Sequence, residues 1–537
     1  MVLQARERSL NEIREAAIKV LTPLHVTRSY SAANIPTVRV ELSNEMLTVV
    51  NSDHGFAIVA NDDAFNAVIG YSDKPFVLDE NNSLAWFINA AGESMKARMA
   101  ESNVHYAPTL PDAGKYKTSI EPLVSTTWNQ DKPYNNLCPK DSRGNSYPSG
   151  CVATALSQIM KYHNYPEHGY GQKQYSFKPA DGVGELLSAN FGETTYLWNK
   201  MLDNYVAGKY SDDEGNAVAT LMLHAGVAVE MQYTPTGSGA YSSEAKNGLI
   251  KNFGYNKNIG IVYRDYYSQE EWMNIVFTEL NAARPIYYAG ADASRGGHAF
   301  VIDGYDENGL VHVNWGWGAT GGNGYYDISL LNPSGYSFSV GQDMLVGIDL
   351  PDADIQYESH LVSDYELEAA KVAHLLNVSV GQAIWNLNGD AWTGELGIVM
   401  QGNGKTYVLV QKTVKTTADR YNVLANIDGT LGGLLQMPKD IADGEYRLFV
   451  GAMDENDKNW SLVRRKVGLV NSCIVNVSNG TFTITNTTDD TWTGITSVYP
   501  DSHDIKYYDL YGREADASSK GILIRKQGNK VSKIFAR

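Results

Sequence analysis

The chain has 537 residues and a formal net charge of −17 at pH 7, too long for one ordinary core and too acidic for a nucleic-acid binder, so three or four domains are expected. Its three cysteines, Cys138, Cys151 and Cys473, are too few and too scattered for a disulfide framework or a paired-cysteine metal site, and neither metal nor cofactor is implied. No apolar run approaches the roughly 18 residues of a membrane span.

The N-terminal residues Met1 to Arg8 lack the apolar core of a signal peptide. Ser9 and Glu12 have capping-box spacing ahead of Ile13, Ala16, Ala17 and Val20, and Ser83 precedes a second helical pattern with Leu84, Phe87, Ile88, Ala91 and Met95. Between them Met46 to Val50, Gly55 to Ala60 and Val68 to Tyr71 read as short strands. Residues 1–114 therefore read as a small α+β unit, and on residues alone a binding domain. Tyr106 to Thr127, with Pro108, Pro111, Gly114, Lys115, Lys117 and Pro122, has the composition of an exposed, cleavable connector.

After Trp128-Asn129-Gln130 and a lone Cys138 comes Ser149-Gly150-Cys151, which places a thiol between a flexible turn and the first turn of a helix. Unpaired N–H groups and the positive end of the macrodipole favour a thiolate there. Ala153, Ala155 and Ser157 let that helix lie deep, Leu156, Ile159 and Met160 give its apolar side, and it should stop near Tyr165-Pro166. On this segment alone an inert buried cysteine is an equally good reading.

Residues 170–214 are polar and tyrosine-rich; Ala217 to Gly226 reads as a helix, and Thr234 to Ser243 as a small-residue loop before another. Ser268 and Glu271 make a further capping box ahead of Trp272, Ile275, Val276 and Leu280, and Pro285 to Ala289 reads as a strand. Gly296 to Tyr305 and Val311 to Asn314 read as a hairpin turning at Asp306 to Gly309, with His298 and Asn314 at the end away from the turn. The glycine-rich loop Gly316 to Gly324 has no phosphate-loop terminus. From about Pro351 alternating short strands with Gly and Asn turns read as a β-sandwich (residues 351–470), followed by a β-rich tail, 471–537.

About 147 residues separate Cys151 from His298, within the range of papain-like enzymes. Gly150-Cys151-Val152-Ala153-Thr154-Ala155, Gln158 to Pro166, Gly296 to Gly304 and His312 to Gly318 resemble, in the same order, the streptopain family of papain-like cysteine peptidases, which includes interpain. The resemblance covers roughly residues 1–350. It implies an α+β, papain-like catalytic domain over 115–350, preceded by an α+β prodomain that blocks its cleft as an intramolecular inhibitor. It also implies export, to the medium or the cell surface, and protein or peptide substrates. Tyr508 to Arg513 and the strands after it resemble the C-terminal sorting domains of exported Bacteroidetes proteins.

Residue by residue, the resemblance makes Cys151 the nucleophile, His298 its acid–base partner, and Gln130 an oxyanion donor beside the Cys151 N–H. Asn314 would accept from the imidazole, and Trp315 would shield that contact. Ser238, Gly239 and Ala240 would border the pocket for the side chain second from the cut, with Gly297 also at the substrate. Among the other histidines, His163 and His168 follow the nucleophile helix too closely, and His312 lies mid-strand. Two rivals stay open: a Cys-His amidase on cell-wall peptides, separable by its inactivity on casein, and a non-catalytic surface adhesin, whose Cys151 would be unreactive.

Overall fold

Capping chemistry sets the helix starts. α1 (Leu10–Leu21) begins at Ser9, whose hydroxyl accepts from Glu12 N while the Glu12 carboxylate accepts from Ser9 N. The computed structural model describes residues 6–22, 36–76, 83–100, 106–178, 184–292, 296–331, 341–355, 361–415, 422–425, 431–455, 459–487, 505–508, 514–515, 521–527 and 530–536. Strands β1 (Arg39–Ser43), β2 (Leu47–Ser52), β3 (Gly55–Ala60) and β4 (Val68–Ser72) run as an antiparallel meander, followed by α2 (Ser83–Ala100). Alternation along the strands divides their faces: Val50, Ala57 and Val59 pack on Ile13, Ala17 and Leu21 of α1, whereas Leu47, Val49, Phe56 and Ile58 join the core that holds Phe87 of α2.

The next stretch contains α3 (Cys151–His163), the hairpin β5 (Gln172–Phe177) and β6 (Glu185–Asn190), then α4 (Asp212–Ala228), α5 (Ser242–Lys251), β7 (Gly260–Tyr263), α6 (Gln269–Asn281), β8 (Ile286–Asp292), β9 (Gly296–Tyr305), β10 (Val311–Asn314), β11 (Gly324–Tyr326) and β12 (Asp343–Val346). α4 starts earlier than its apolar pattern because Ser211 and Glu214 form another capping box; α6 uses Ser268 and Glu271 as expected. α3 ends where Asn164 takes the left-handed conformation.

One antiparallel sheet carries both N-terminal regions, in the order β1-β2-β3-β4-β11-β10-β9-β8-β12-β7. The N-terminal strands are thus not closed on themselves: β4 pairs with β11 through Tyr71 and Tyr325, and Gly70 and Tyr326. A single core runs across that seam, from Phe56, Phe87 and Met95 to Trp315, Tyr326 and Leu330. A second core gathers α3, α4, α5 and the opposite side chains of β9, including Ala299 and Val301.

The connector is tethered more than its composition suggests. Tyr116 is buried against Phe277, and Lys117 N donates to Asn281 Oδ1 while Lys117 O accepts from the Tyr305 hydroxyl. Its exposed turn is Asp112 to Lys115.

Beyond residue 361 lie β13 (Leu361–Ser363), β14 (Glu368–Val372), β15 (Leu375–Ser379), β16 (Ala383–Asn386), β17 (Thr393–Gly402), β18 (Lys405–Lys415), β19 (Asn422–Ala425), β20 (Gly433–Gln436), β21 (Gly444–Asp454), β22 (Ser461–Leu462), β23 (Arg464–Arg465), β24 (Ser472–Ser478) and β25 (Thr481–Thr487). Their sheets enclose one core around Trp392, Ile398, Leu448 and Val475. β24 and β25 extend the sheet of β17 and β21, so the expected division at 470 falls inside the sandwich. Asn403-Gly404 and Asn479-Gly480 turn their hairpins with positive φ at both residues. β26 (Ile505–Tyr508), β27 (Glu514–Ala515), β28 (Gly521–Gln527) and β29 (Lys530–Ala536) form a separate sheet; much of the sorting-like stretch, including 509–513, lies outside the described residues.

Candidate active site

Gly150 caps α3 with φ 94°, and a Cβ there would lie 2.8 Å from the Met231 side chain and 2.9 Å from Ser238 O. Only glycine fits. Cys151 follows as the first residue of the helix, buried, its Sγ 4.0 Å from Ser238 O. Burial pushes its thiol above the ordinary range, while the N–H groups of Ala299, Val152 and Cys151 itself favour the thiolate. The other cysteines lack that setting: Cys138 and Cys473 are buried, and burial pushes each thiol up to about 12.

His298 lies near the open end of β9, where its Nε2 donates to the Trp315 carbonyl at 2.9 Å. Its ring stacks on Trp317, with centroids 5.7 Å apart, and on Phe300 and Trp315. Burial pushes the imidazole down to about 4, against the pull of the Trp315 carbonyl, so it is neutral at pH 7. Because side chains alternate along a strand, His298 shares its face with Phe300, on the side of the α2 core, whereas Ala299 and Val301 face α3 and Cys151. The thiol and the imidazole are therefore on opposite faces of β9, and no hydrogen bond joins them.

Asn314 does not hold the imidazole. β10 ends with Asn314 opposite Val301, three residues from His298 and on the other face, so the chain beyond it, the Trp315 carbonyl and the Trp317 ring, meets His298 instead. The Asn314 amide is committed elsewhere: Nδ2 donates to Gln158 Oε1 (3.1 Å) and Thr126 O (2.7 Å), and Oδ1 accepts from Gln158 Nε2 (3.2 Å) and Gly316 N (3.2 Å). Gln158 Oε1 also accepts from Thr126 Oγ1 and Trp128 N. Sequence reasoning gave Gln158 no role; the signal was a long amide side chain two turns after Cys151 in the deeply buried part of α3. Trp315 is fully buried, as a shielding residue would be, but it covers the carbonyl contact of His298.

Gln130 is buried, its carbonyl accepting from Ser149 N at 2.9 Å, two residues before Cys151. Its Nε2 is a buried donor without a partner among the described residues. The loop Ser238, Gly239 and Ala240 meets Cys151 through the Ser238 carbonyl. Ser238 is buried, with its hydroxyl on Pro148 O at 2.8 Å, while Gly239 is exposed and Ala240 half-buried. Gly297, exposed, directly precedes His298 on β9. The rival histidines are occupied: His312 Nδ1 lies 2.6 Å from the buried Asp303 carboxylate, and His163 bonds the Tyr255 hydroxyl. Among the described residues no cluster suited to a metal ion and no helix long and apolar enough to cross a membrane occurs.

Residues 128–326 match the model of the peptidase C10 family. The chain is 34% identical to streptopain of Streptococcus pyogenes over 308 residues, covering 55% of this chain and 76% of the relative. It is 35% identical over 320 residues to the thiol protease/hemagglutinin PrtT of Porphyromonas gingivalis, a match spanning 55% of this chain but only 36% of that protein. Among solved structures, a mutant fragment of Prevotella intermedia prointerpain A is similar with a TM-score of 0.54 and 42% identity, covering 58% of this chain and 99% of that one. This chain belongs to the peptidase C10 family, the streptopain- and interpain-type cysteine peptidases.

Proposed function

We propose that the chain is a cysteine endopeptidase made as a zymogen, and that this structure is its latent form. The observation that carries the catalytic assignment is the orphaned Gln130 Nε2 next to the start of α3: a buried donor is left unsatisfied only at a cost, and an oxyanion beside the Cys151 N–H supplies its acceptor. Cys151 attacks the scissile carbonyl and His298 protonates the leaving amine.

Latency follows from the face on which His298 lies. Phe87 of α2 is fully buried against Tyr326, 4.8 Å between centroids, and touches Trp315; Leu84 covers Gly322. These contacts back the Trp315–Trp317 segment that holds the imidazole away from the thiol. Cutting the connector at its exposed turn and releasing residues 1 to about 114 removes that backing, and Gly296 and Gly297 give the strand end the freedom to turn His298 toward Cys151. Asn314, through Gln158, is then a positioning residue for the strand rather than a ligand of the ring. Protein substrates, export and a sorting role for the tail belong to the same proposal and rest on the family resemblance.

The test is casein hydrolysis by the full chain followed against time. A lag that shortens as the N-terminal fragment appears on a gel supports the zymogen reading, with Cys151→Ala remaining uncut. Equal initial rates for the uncut chain and for one starting near Lys117 would return residues 1–114 to the status of an ordinary binding domain.

A further inference from the structure

The β-sandwich touches the catalytic region at the helix that leaves the substrate loop. The turn Leu387 to Asp390 rests on the first turn of α5 so closely that a Cβ on Gly389 would lie 2.5 Å from Ser243 Cβ. The turn is braced from within, Asn386 Nδ2 donating to Asp390 O at 2.8 Å. Lys246 of α5 is buried, and its ammonium is met by Asn388 O (3.1 Å) and Asp390 Oδ2 (2.8 Å), both from the sandwich. Asn247 Nδ2 donates to Gly389 O at 3.2 Å. Asn388 Oδ1 accepts from Ile261 N on β7, and Leu387 O from the Tyr263 hydroxyl, so the same turn also covers the border strand of the sheet.

A buried ammonium is tolerated only where its charge and donors are matched. Among the described residues the match at Lys246 comes from the appended domain, so the α5 end of the catalytic region is complete only with the sandwich in place. Tyr241 caps α5, and the three residues before it are Ser238, Gly239 and Ala240; Ser238 in turn touches both Cys151 and Pro148. The chain path from the sandwich to Cys151 is short: α5 begins at Ser242, and only the exposed Gly239 and Tyr241 and the half-buried Ala240 separate it from the buried Ser238.

We propose that the β-sandwich sets the substrate-side wall of the cleft, with Lys246, Asn247 and the turn Leu387 to Asp390 acting as positioning residues for the loop Ser238 to Tyr241. The domain is then a determinant of peptide selection rather than a passive appendage. This rests on reading Ser238, Gly239 and Ala240 as the border of the pocket for the side chain second from the cut.

The experiment uses the activated full-length protein and fluorogenic peptides that differ only at that second side chain. Lys246→Met and the milder Asn247→Ala, on a half-buried residue, should raise KM about threefold or more and flatten the preference between large and small side chains, while kcat on the preferred peptide stays within about twofold. Ala240→Leu, which narrows the pocket directly, should shift the preference toward small side chains. If Ala240→Leu shifts the preference and neither contact variant changes KM or selectivity, the positioning role of the sandwich is refuted and the subsite reading survives. If Ala240→Leu leaves the preference unchanged, the subsite reading itself fails. Should Lys246→Met not fold, Asn247→Ala alone decides between these outcomes.

Discussion

Gln158 and Asn314 exchange amide hydrogen bonds in both directions, at 3.1 and 3.2 Å, across the buried junction between α3 and the second strand of the histidine hairpin. Each bond is modest by itself, but both amides are buried, and each also holds a main-chain group of the segment Thr126 to Trp128 that leads to Gln130. Three parts of the site thus share one polar knot.

Breaking it should cost stability and activity together. On the Cys151→Ala background, Gln158→Leu and Asn314→Leu should each lower unfolding free energy by about 1–3 kcal/mol, and the double variant by less than their sum. Denaturant unfolding measures this; strict additivity would mean that the two amides are not coupled.

Replacing Cys151 by Ala should abolish casein hydrolysis, whereas Cys138→Ala and Cys473→Ala should retain it. Only Cys151 combines a helix start with neighbouring N–H groups that favour a thiolate. Full activity in Cys151→Ala would remove the assignment.

The pH profile of Cys151 alkylation should differ between the two forms. In the full chain, burial raises the thiol and lowers the imidazole, so both are neutral and reaction should be slow until the pH exceeds the ordinary thiol value of about 8.5. After removal of residues 1 to about 114 an ion pair with His298 should keep alkylation fast near pH 6, and His298→Ala should abolish that advantage. Identical profiles for both forms would contradict the latent arrangement.

The fold around Asp327 should be more stable in acid. This carboxyl is buried beside Tyr106 and Ser329, and burial pushes it up to about 6 from an ordinary 3.8. A raised acid contributes stability that is fully present below its unfolded value and is lost as the pH climbs through the folded value. Between pH 4 and 7 the Cys151→Ala chain should therefore lose thermal stability relative to its Asp327→Asn derivative. Parallel melting curves across that range would exclude the carboxyl as the cause.

The parts of this fold legible in the sequence are those governed by neighbours in the chain. Ser9, Glu12, Ser268 and Glu271 announced their helices, the short apolar runs Gly55 to Ala60 and Val68 to Tyr71 announced strands, and Asp306 to Gly309 turned the histidine hairpin. What stayed hidden depends on register and on burial by distant segments. A hairpin pattern cannot reveal that β10 stops opposite Val301, which removes Asn314 from His298. Nor does the polarity of Lys246 betray that a turn 144 residues further on will bury it.

The seam between β4 and β11 has a consequence for the finished protease. It consists of two residue pairs, reinforced by the stacked rings of Tyr71 and Tyr325. In the proposed activation, departure of the N-terminal strands leaves β11 as a bare sheet border only three residues long. A longer border would invite other chains, or copies of the same one, to zip on through their main chains, the usual route to aggregates. This one presents too few donors and acceptors to hold a stranger. On that proposal, the same brevity that leaves few main-chain bonds to break on release also keeps the active enzyme from becoming adhesive to itself.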